Sequence, residues 1–255
     1  MSTSLDRIVA ALNAELCMDE FEDASHNGLQ VANASGRVRK VCCGVDATLA
    51  FFEEAARRKA DLVVCHHGIS WGDSLKRITH LNYRRLAFLI RHDIALYAAH
   101  LPLDAHPRLG NNARICDALG LVARQPFGRY HGRSIGFRGK LPRAVTFATL
   151  KKRIAKALGD PEPRVMEFGK SRVRTVAVVS GGAADLVEEA AREGIDVFLS
   201  GEPTLAAYHL AQEYGIHALF GGHYATETFG VKALADLIAR RFKLPCEFID
   251  TAIPF

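Results

Sequence analysis

The sequence predicts an α/β protein with a parallel sheet, and three observations support this prediction. Short apolar runs alternate with amphipathic helical patterns, an 18-residue stretch recurs later in the chain, and the composition is that of a globular protein. Of the 255 residues, 49% are apolar and 24% are charged. This balance excludes a disordered chain, which would be poor in apolar residues and strongly charged.

The first half of the chain shows the alternation most clearly. Val38–Val45 predicts a strand, and Thr48–Lys59 predicts a helix because its apolar residues recur on one face. Asp61–Cys65 is a short apolar run that is typical of a strand buried on both faces. A helix over Asn82–His92 and a strand over Ile94–Ala99 complete the series. Strands and helices in this order imply right-handed crossovers and parallel strands.

An internal repeat divides the chain. Residues 51–68 align without a gap on residues 186–203, at a constant offset of 135. A generic helix–strand pattern could produce a similar match, but the identities favour a duplication. We therefore predict a first α/β half at 1–123, a basic connecting segment at 124–172 and a second α/β half at 173–255. The identical pairs are Glu53/Glu188, Glu54/Glu189, Ala55/Ala190, Ala56/Ala191, Arg57/Arg192 and Asp61/Asp196.

The connecting segment concentrates positive charge. Residues 124–174 carry fourteen lysines and arginines against three acids, whereas the whole chain has a net charge of only +5. Such a segment either attracts a polyanion or forms an ordinary solvated or intersubunit surface. Within it the sequence predicts a strand at Ser134–Arg138, a helix at Phe147–Leu158 and a turn at Asp160–Pro163.

The cysteine pattern and the apolar runs predict a cytoplasmic protein. None of the six cysteines forms a Cys-x-x-Cys pair, so we expect reduced thiols, most of them buried. The first residues are interrupted by charges and do not resemble a signal peptide. No apolar run approaches the roughly 18 residues that cross a bilayer, so we expect no membrane partner.

Histidines follow three of the apolar strands, and two of them are followed by an acid four residues on. In open parallel sheets, ligands bind at the carboxyl ends of the strands, so these residues can converge if the strands are neighbours. Each motif alone is as typical of structural loop histidines as of ligands. The motifs are the pair His66 and His67, His100 with Asp104, and His223 with Glu227.

Imidazole and carboxylate groups without cysteine suit Zn, Fe or Mn, although the sequence does not identify the metal. The adjacent side chains of His66 and His67 diverge, so each would bind one of two ions about 3.5–4 Å apart. Glu227 is longer than Asp104 and is the better candidate to bridge the ions. The sequence therefore predicts two divalent metal ions.

These motifs resemble those of the dinuclear metal-centre protein family, whose members are also labelled GTP cyclohydrolase I type 2 homologues or Nif-three-like proteins. The resemblance spans essentially the whole chain and is greatest to the compact YbgI-like members. The motifs that carry it are Asn27-Gly28-Leu29-Gln30-Val31, His66-His67-Gly68, His100-Leu101-Pro102-Leu103-Asp104-Ala105-His106-Pro107 with Gly110-Asn111-Asn112, Ser200-Gly201-Glu202, and Gly222-His223 with Ala225-Thr226-Glu227.

The resemblance implies a ligand set. His67 and Asp104 match the ligands of one ion, and His66 and His223 match those of the other. Glu227 matches the residue that bridges both ions. The resemblance also implies a fold of two similar, intertwined three-layer α/β/α lobes, and a homohexameric ring with the metal sites facing its cavity.

Two functions are consistent with this resemblance. The first is a metal-dependent hydrolase, in which His100 beside the ions acts as general acid or base and the substrate is GTP or another nucleotide. The alternative is a non-catalytic metal-binding ring or an accessory protein whose basic segment binds nucleic acid. Glu202 aligns with His67 in the repeat and is a further candidate for the site. Asn111 and Asn112, after Gly110, are predicted to cap the helix Asn112–Leu119.

Overall fold

The computed structural model describes residues 2–159 and 162–254 and shows an α/β fold, as predicted. The strands are β1 (Thr3–Ser4), β2 (Gly28–Val31), β3 (Arg37–Val38), β4 (Val41–Asp46), β5 (Leu62–His67), β6 (Ala95–Ala98), β7 (Val122–Tyr130), β8 (Arg133–Thr146), β9 (Arg164–Glu167), β10 (Arg172–Val178), β11 (Val197–Ser200), β12 (His217–Phe220) and β13 (Cys246–Phe248). The helices are α1 (Leu5–Leu16), α2 (Leu49–Arg57), α3 (His80–Arg91), α4 (Leu101–Asp104), α5 (Asn111–Ala118), α6 (Phe147–Leu158), α7 (Val187–Arg192), α8 (Leu205–Tyr214) and α9 (His223–Phe242).

The chain forms two compact units. Unit 1 consists of Met1–Leu103 and Val231–Thr251, and unit 2 consists of Asp104–Gly230 and Ala252–Phe255. Residues 124–172, the predicted connecting segment, all fall within the bounds of unit 2. The duplication, and with it the predicted three-segment division, stays a prediction.

Unit 1 is built on a five-stranded sheet in the order β13-β4-β5-β6-β2. The pairs from β13 to β6 are parallel and only the edge strand β2 is antiparallel, as the alternating pattern predicts. Helix α2 buries Phe51 and Phe52 completely. It begins after Thr48, whose side chain accepts a hydrogen bond of 3.2 Å from the Phe51 N–H and so caps the helix.

Unit 2 contains a six-stranded sheet in the order β7-β8-β10-β11-β12-β9. Its centre, β10 to β12, is parallel, and antiparallel strands flank it on both sides. Helix α6 has the predicted bounds, whereas the strand predicted at Ser134–Arg138 is part of the longer β8. Of the predicted turn, Asp160 and Pro161 lie outside the described residues.

An identical aspartate of the repeat has the same role in both units. In unit 1, Asp61 accepts hydrogen bonds from the backbone N–H groups of Arg39 (2.8 Å) and Lys40 (3.1 Å). These bonds turn the chain before β4, so the strand predicted over Val38–Val45 is divided into β3 and β4.

In unit 2 the equivalent Asp196 accepts hydrogen bonds from Arg174 N (2.8 Å) and Thr175 N (2.9 Å). Burial acts to raise the pKa of both carboxyl groups, but their hydrogen bonds outweigh it and hold the pKa below the ordinary value of 3.8. The shared residue thus closes the same backbone turn twice.

The cysteine prediction is confirmed for the described residues, in which all six are free and four are buried. Burial raises the pKa of the Cys42 thiol to about 11, which keeps it protonated. Among the described residues, no helix is long and apolar enough to cross a membrane.

We predict that Asp61→Asn and Asp196→Asn each lower the free energy of unfolding by about 1–3 kcal/mol at pH 7, because each replaces a carboxylate that accepts two backbone N–H groups with a weaker amide acceptor. A carboxyl group with a lowered folded-state pKa stabilises the fold above pH 3.8 and loses this effect as the pH falls through that pKa. The difference in unfolding free energy between the wild type and each variant should therefore become smaller in acid. Urea unfolding at several pH values measures this difference. The exposed Asp73→Asn is the control and should change stability little. A deficit that is independent of pH would contradict the prediction.

Candidate metal centre

Three histidines meet at the carboxyl ends of two neighbouring strands in unit 1. His66 and His67 are the last residues of β5, which runs two residues further than predicted, and His100 follows β6. Because β5 and β6 are parallel and adjacent, their ends lie side by side. One ring nitrogen of each histidine lies within 4.8 Å of the others, a grouping that could hold a metal ion.

Fixed oxygen acceptors orient two of these rings. The Nδ1 of His66 lies 2.8 Å from the carbonyl oxygen of Ala99. The Nδ1 of His67 lies 2.8 Å from a carboxylate oxygen of Asp46, which is opposite His67 in the β4–β5 register. A carbonyl or carboxylate oxygen accepts only, so each Nδ1 carries the proton. In the neutral ring the lone pair is then on Nε2, the atom that a cation would bind.

His100 is held in the same way by Asp23, 2.9 Å from its Nδ1. Asp23 also accepts hydrogen bonds from the backbone of Leu101 and the side chain of Asn27. Burial acts to raise the pKa of Asp23, but the hydrogen bond and charge of His100 outweigh it and lower the pKa to about 2. Asp23 is therefore a carboxylate at neutral pH.

The Asn27–Val31 motif fixes the loops around the three histidines. Asn27 Oδ1 accepts the backbone N–H of His100 at 2.7 Å. Gln30 Oε1 accepts the N–H groups of Ile69 (2.8 Å) and Ser70 (3.1 Å) in the loop after β5. A Cβ at Gly68 would collide with the Gln30 amide, which explains the glycine after the histidine pair.

An aromatic side chain borders the histidines. Trp71 donates its Nε1–H to the carbonyl oxygen of Gly68 at 2.8 Å, which anchors its loop. Its ring centre lies 4.9 Å from that of His100 and 5.8 Å from that of His67. Trp71 is the only tryptophan in the sequence, so its fluorescence reports on this cluster.

Further candidate metal ligands lie in unit 2. His223 begins α9, and its Nε2 is 3.1 Å from Glu227 Oε1, one turn along the helix. Its Nδ1 is 2.8 Å from Glu202 Oε1, so the sequence candidate Glu202 does contact a predicted ligand. Burial acts to lower the pKa of His223, but Glu227 and Glu202 outweigh it and raise the pKa to about 9. The ring is therefore protonated at neutral pH without a metal, and a cation bound there would replace a proton.

Asp104, also in unit 2, is buried in a polar network. Its Oδ1 accepts hydrogen bonds from Asn111 Nδ2 (2.8 Å) and Ser180 Oγ (3.0 Å). The prediction that Asn111 and Asn112 cap a helix is wrong, because Gly110 is the N-cap residue of α5 and both asparagines lie buried within the helix. Their side chains instead satisfy other buried polar groups.

Of the six predicted residues, His66, His67 and His100 lie in unit 1, and Asp104, His223 and Glu227 lie in unit 2. The predicted assignment of ligands to individual ions, and the catalytic role of His100, stay predictions. Four residues that hold the candidate ligands were not predicted: Asp23, Asp46, Ser180 and, in this role, Asn111.

Comparisons with known proteins agree with the resemblance seen in the sequence. A model of the Duf34/NIF3 family (NGG1p interacting factor 3) matches residues 3–254. A Halobacterium salinarum protein named GTP cyclohydrolase 1 type 2 homolog is 43% identical over 245 residues, which are 95% of this chain and 96% of that protein. An Archaeoglobus fulgidus protein of the same name is 40% identical over 247 residues, covering 97% and 98%.

Solved structures show the same fold. A structure described as protein ybgI, of unknown function, gives a TM-score of 0.92 at 34% identity and covers 99% of this chain and 100% of its own. A Thermus thermophilus protein gives a TM-score of 0.89 at 38% identity, with the same coverage. Fold and family thus agree along the whole chain.

We predict that Gly181→Ala destabilises the protein more than Gly194→Ala. Both glycines have a positive φ (67° and 70°), so alanine costs about 1–2 kcal/mol of backbone strain at either position. At Gly181 the new Cβ would also collide with Glu227 Oε1, whereas at Gly194 it would meet nothing within 4 Å. Overpacking should add about 1–3 kcal/mol, measured as the difference between the two variants in urea unfolding. Equal losses would show that Gly181 does not press on Glu227.

Proposed function

The chain belongs to the Duf34/NIF3 family, and on that premise we propose that it is a metal-dependent hydrolase that binds two divalent ions. The ligands that we propose, following the family resemblance, are His66, His67, Asp104, His223 and Glu227. Zn, Fe and Mn all suit this set of imidazole and carboxylate donors.

The observation that carries the proposal is the arrangement of the three unit 1 histidines. Each ring commits Nδ1 to a fixed oxygen acceptor, and the rings gather at one sheet edge. Metal-binding histidines characteristically show this arrangement, because a hydrogen bond from the ring nitrogen that does not bind the metal fixes both the tautomer and the ring direction. Histidines with only a structural role in a loop would not need a separate acceptor for each Nδ1 and a cluster of their remaining ring nitrogens.

The proposed substrate is a nucleotide, since curated relatives are named GTP cyclohydrolase 1 type 2 homolog. Bound divalent ions would polarise the substrate and lower the pKa of a water molecule. His100 would transfer a proton at Nε2, while Asp23, bonded to its Nδ1, holds the ring in place. Trp71 would limit the access of bulk water to this side of the histidines.

Metal binding is the first test. We predict that the purified protein takes up two equivalents of Co²⁺, measured by elemental analysis, and that Co²⁺ quenches the fluorescence of Trp71 because the ion binds next to its ring. His67→Ala should reduce both signals. His92→Ala is the matched control, since the exposed His92 also has its Nδ1 on a carbonyl oxygen, that of Phe88. Failure of the wild-type protein to bind Co²⁺ would overturn the proposal.

Turnover is the second test. Metal-loaded protein incubated with GTP and other nucleotides should form a product that His67→Ala and Glu227→Ala fail to form. We expect His100→Ala to keep its metal but to lose about 10²–10⁴-fold in rate, the usual contribution of a general acid or base. A His100→Ala variant with unchanged turnover would rule out that role.

The carboxylates behind the histidines should tune the affinity for metal. We predict that Asp46→Ala weakens Co²⁺ binding about 10–100-fold, because His67 loses the partner that orients its ring. Asp19→Ala removes an equal charge from an exposed position and should have no effect. Trp71 fluorescence titrations compare the two variants. An equal effect of both would mean that overall charge, rather than orientation, controls the affinity.

A further inference from the structure

We propose that Ser180 and Asn111 form a clamp that fixes the carboxylate of Asp104 and thereby sets how tightly it holds a divalent ion. The inference rests on the proposed function, since it takes Asp104 as a ligand. Ser180 and Asn111 are positioning residues, because they act through Asp104 rather than on the substrate. Neither residue was among the sequence candidates for metal binding.

The clamp is built on one oxygen atom. Asp104 Oδ1 accepts the amide of Asn111 at 2.8 Å and the hydroxyl of Ser180 at 3.0 Å. All three side chains are buried, with exposures of 6% for Asp104, 0% for Asn111 and 8% for Ser180. Two donors on one oxygen atom restrain the rotation of the carboxylate. The clamp thus fixes the direction in which Asp104 would meet a cation.

The two donors are themselves held rigidly. Asn111 Oδ1 accepts the backbone N–H of Gly230 at 2.6 Å, and Gly230 lies on α9, three residues beyond Glu227. The backbone N–H of Ser180 donates to Asn112 Oδ1 at 2.6 Å, and Asn112 Nδ2 donates to the carbonyl oxygen of Ile135 at 2.8 Å. Every partner is buried or backbone, so the clamp has little freedom to follow a displaced carboxylate.

The loop that contains Ser180 and Gly181 also lies next to Glu227, the other proposed carboxylate ligand of unit 2. Gly181, next to Ser180, donates its N–H to Thr226 Oγ1 at 3.1 Å, and a Cβ on Gly181 would collide with Glu227 Oε1. Ser180 therefore positions Asp104 while its neighbour packs against Glu227. Together with the Asn111 bond to α9, this loop fixes the spacing between the two proposed carboxylate ligands.

A purely structural network would behave differently. Removing a buried hydrogen bond lowers stability wherever it lies in the fold. Only a clamp on a ligand also changes the affinity of one metal ion selectively. Thr175 provides the comparison, because its hydroxyl donates to the Asp196 carboxylate at 2.9 Å from the same strand, β10, that leads to Ser180.

The experiment titrates Co²⁺ alone into the full chain and follows the visible absorption of the bound ion, with thermal unfolding of the metal-free protein alongside. We expect Ser180→Ala to weaken one of two Co²⁺ equivalents about 10–100-fold and to leave the other unchanged. Thr175→Val should lower the unfolding temperature comparably but bind both equivalents as the wild type does. Ser180→Thr keeps the hydroxyl and should restore much of the affinity.

A second variant tests the other donor. Asn111→Leu keeps the approximate size of the side chain but removes the amide that donates to Asp104, and it should weaken the same equivalent. Wild-type affinity in Ser180→Ala and Asn111→Leu, or an equal loss in Thr175→Val, would overturn the clamp while leaving the proposed metal site intact. A wild-type protein that takes up no Co²⁺ would overturn the proposed function and the clamp together.

Discussion

A hydrogen bond from Nδ1 to a fixed oxygen atom decides where each candidate histidine points. His66 uses a backbone carbonyl, whereas His67 and His100 use Asp46 and Asp23. Without these acceptors, each imidazole could rotate or exchange its two nitrogens, and no common binding point would exist. The sheet brings the three histidines to one edge. Their hydrogen-bond acceptors then fix the direction of each ring, and with it the direction of the Nε2 atom that would bind a cation. In unit 2, Glu202 plays the same part for His223.

Much of the fold follows from local patterns in the sequence. Apolar runs and amphipathic periodicity predict β5, β6, α2 and α6 with bounds that differ from the structure by few residues. The antiparallel part of the unit 2 sheet is less predictable. Strand β7 is largely exposed and lacks a buried-strand pattern, and of β8 only Ser134–Arg138, in its more buried half, was predicted. The pairing of β13 with β4 joins residues about two hundred positions apart, and no local signal encodes it.

Some residues of the candidate site could be predicted from the sequence, whereas others are revealed only by the fold. Histidines at strand ends and their acids were visible as motifs. The grouping of the three unit 1 histidines follows from strand order, and the contact of His223 with Glu227 follows from their spacing on α9. Asp46 was also within reach, because it ends the strand next to β5 and faces His67 in the register. Asp23 lies in an irregular segment with no periodic pattern, so only the fold reveals its contact with His100. The asparagines of α5 misled because their usual capping preference is overridden by buried tertiary hydrogen bonds.

The strand order of unit 1 has a consequence for synthesis on the ribosome. Strand β13 covers one edge of β4, and the backbone bonds of Val41 to Pro245 and of Ile249 to Cys43 seal that edge. Residues 104–230 emerge from the ribosome before β13 does, so β4 keeps an unpaired edge while unit 2 already has nearly all of its chain. An open, apolar strand edge is a template for wrong pairing. The nascent chain is therefore most vulnerable to aggregation late in translation, and a stop codon ahead of residue 246 would leave the N-terminal sheet permanently open.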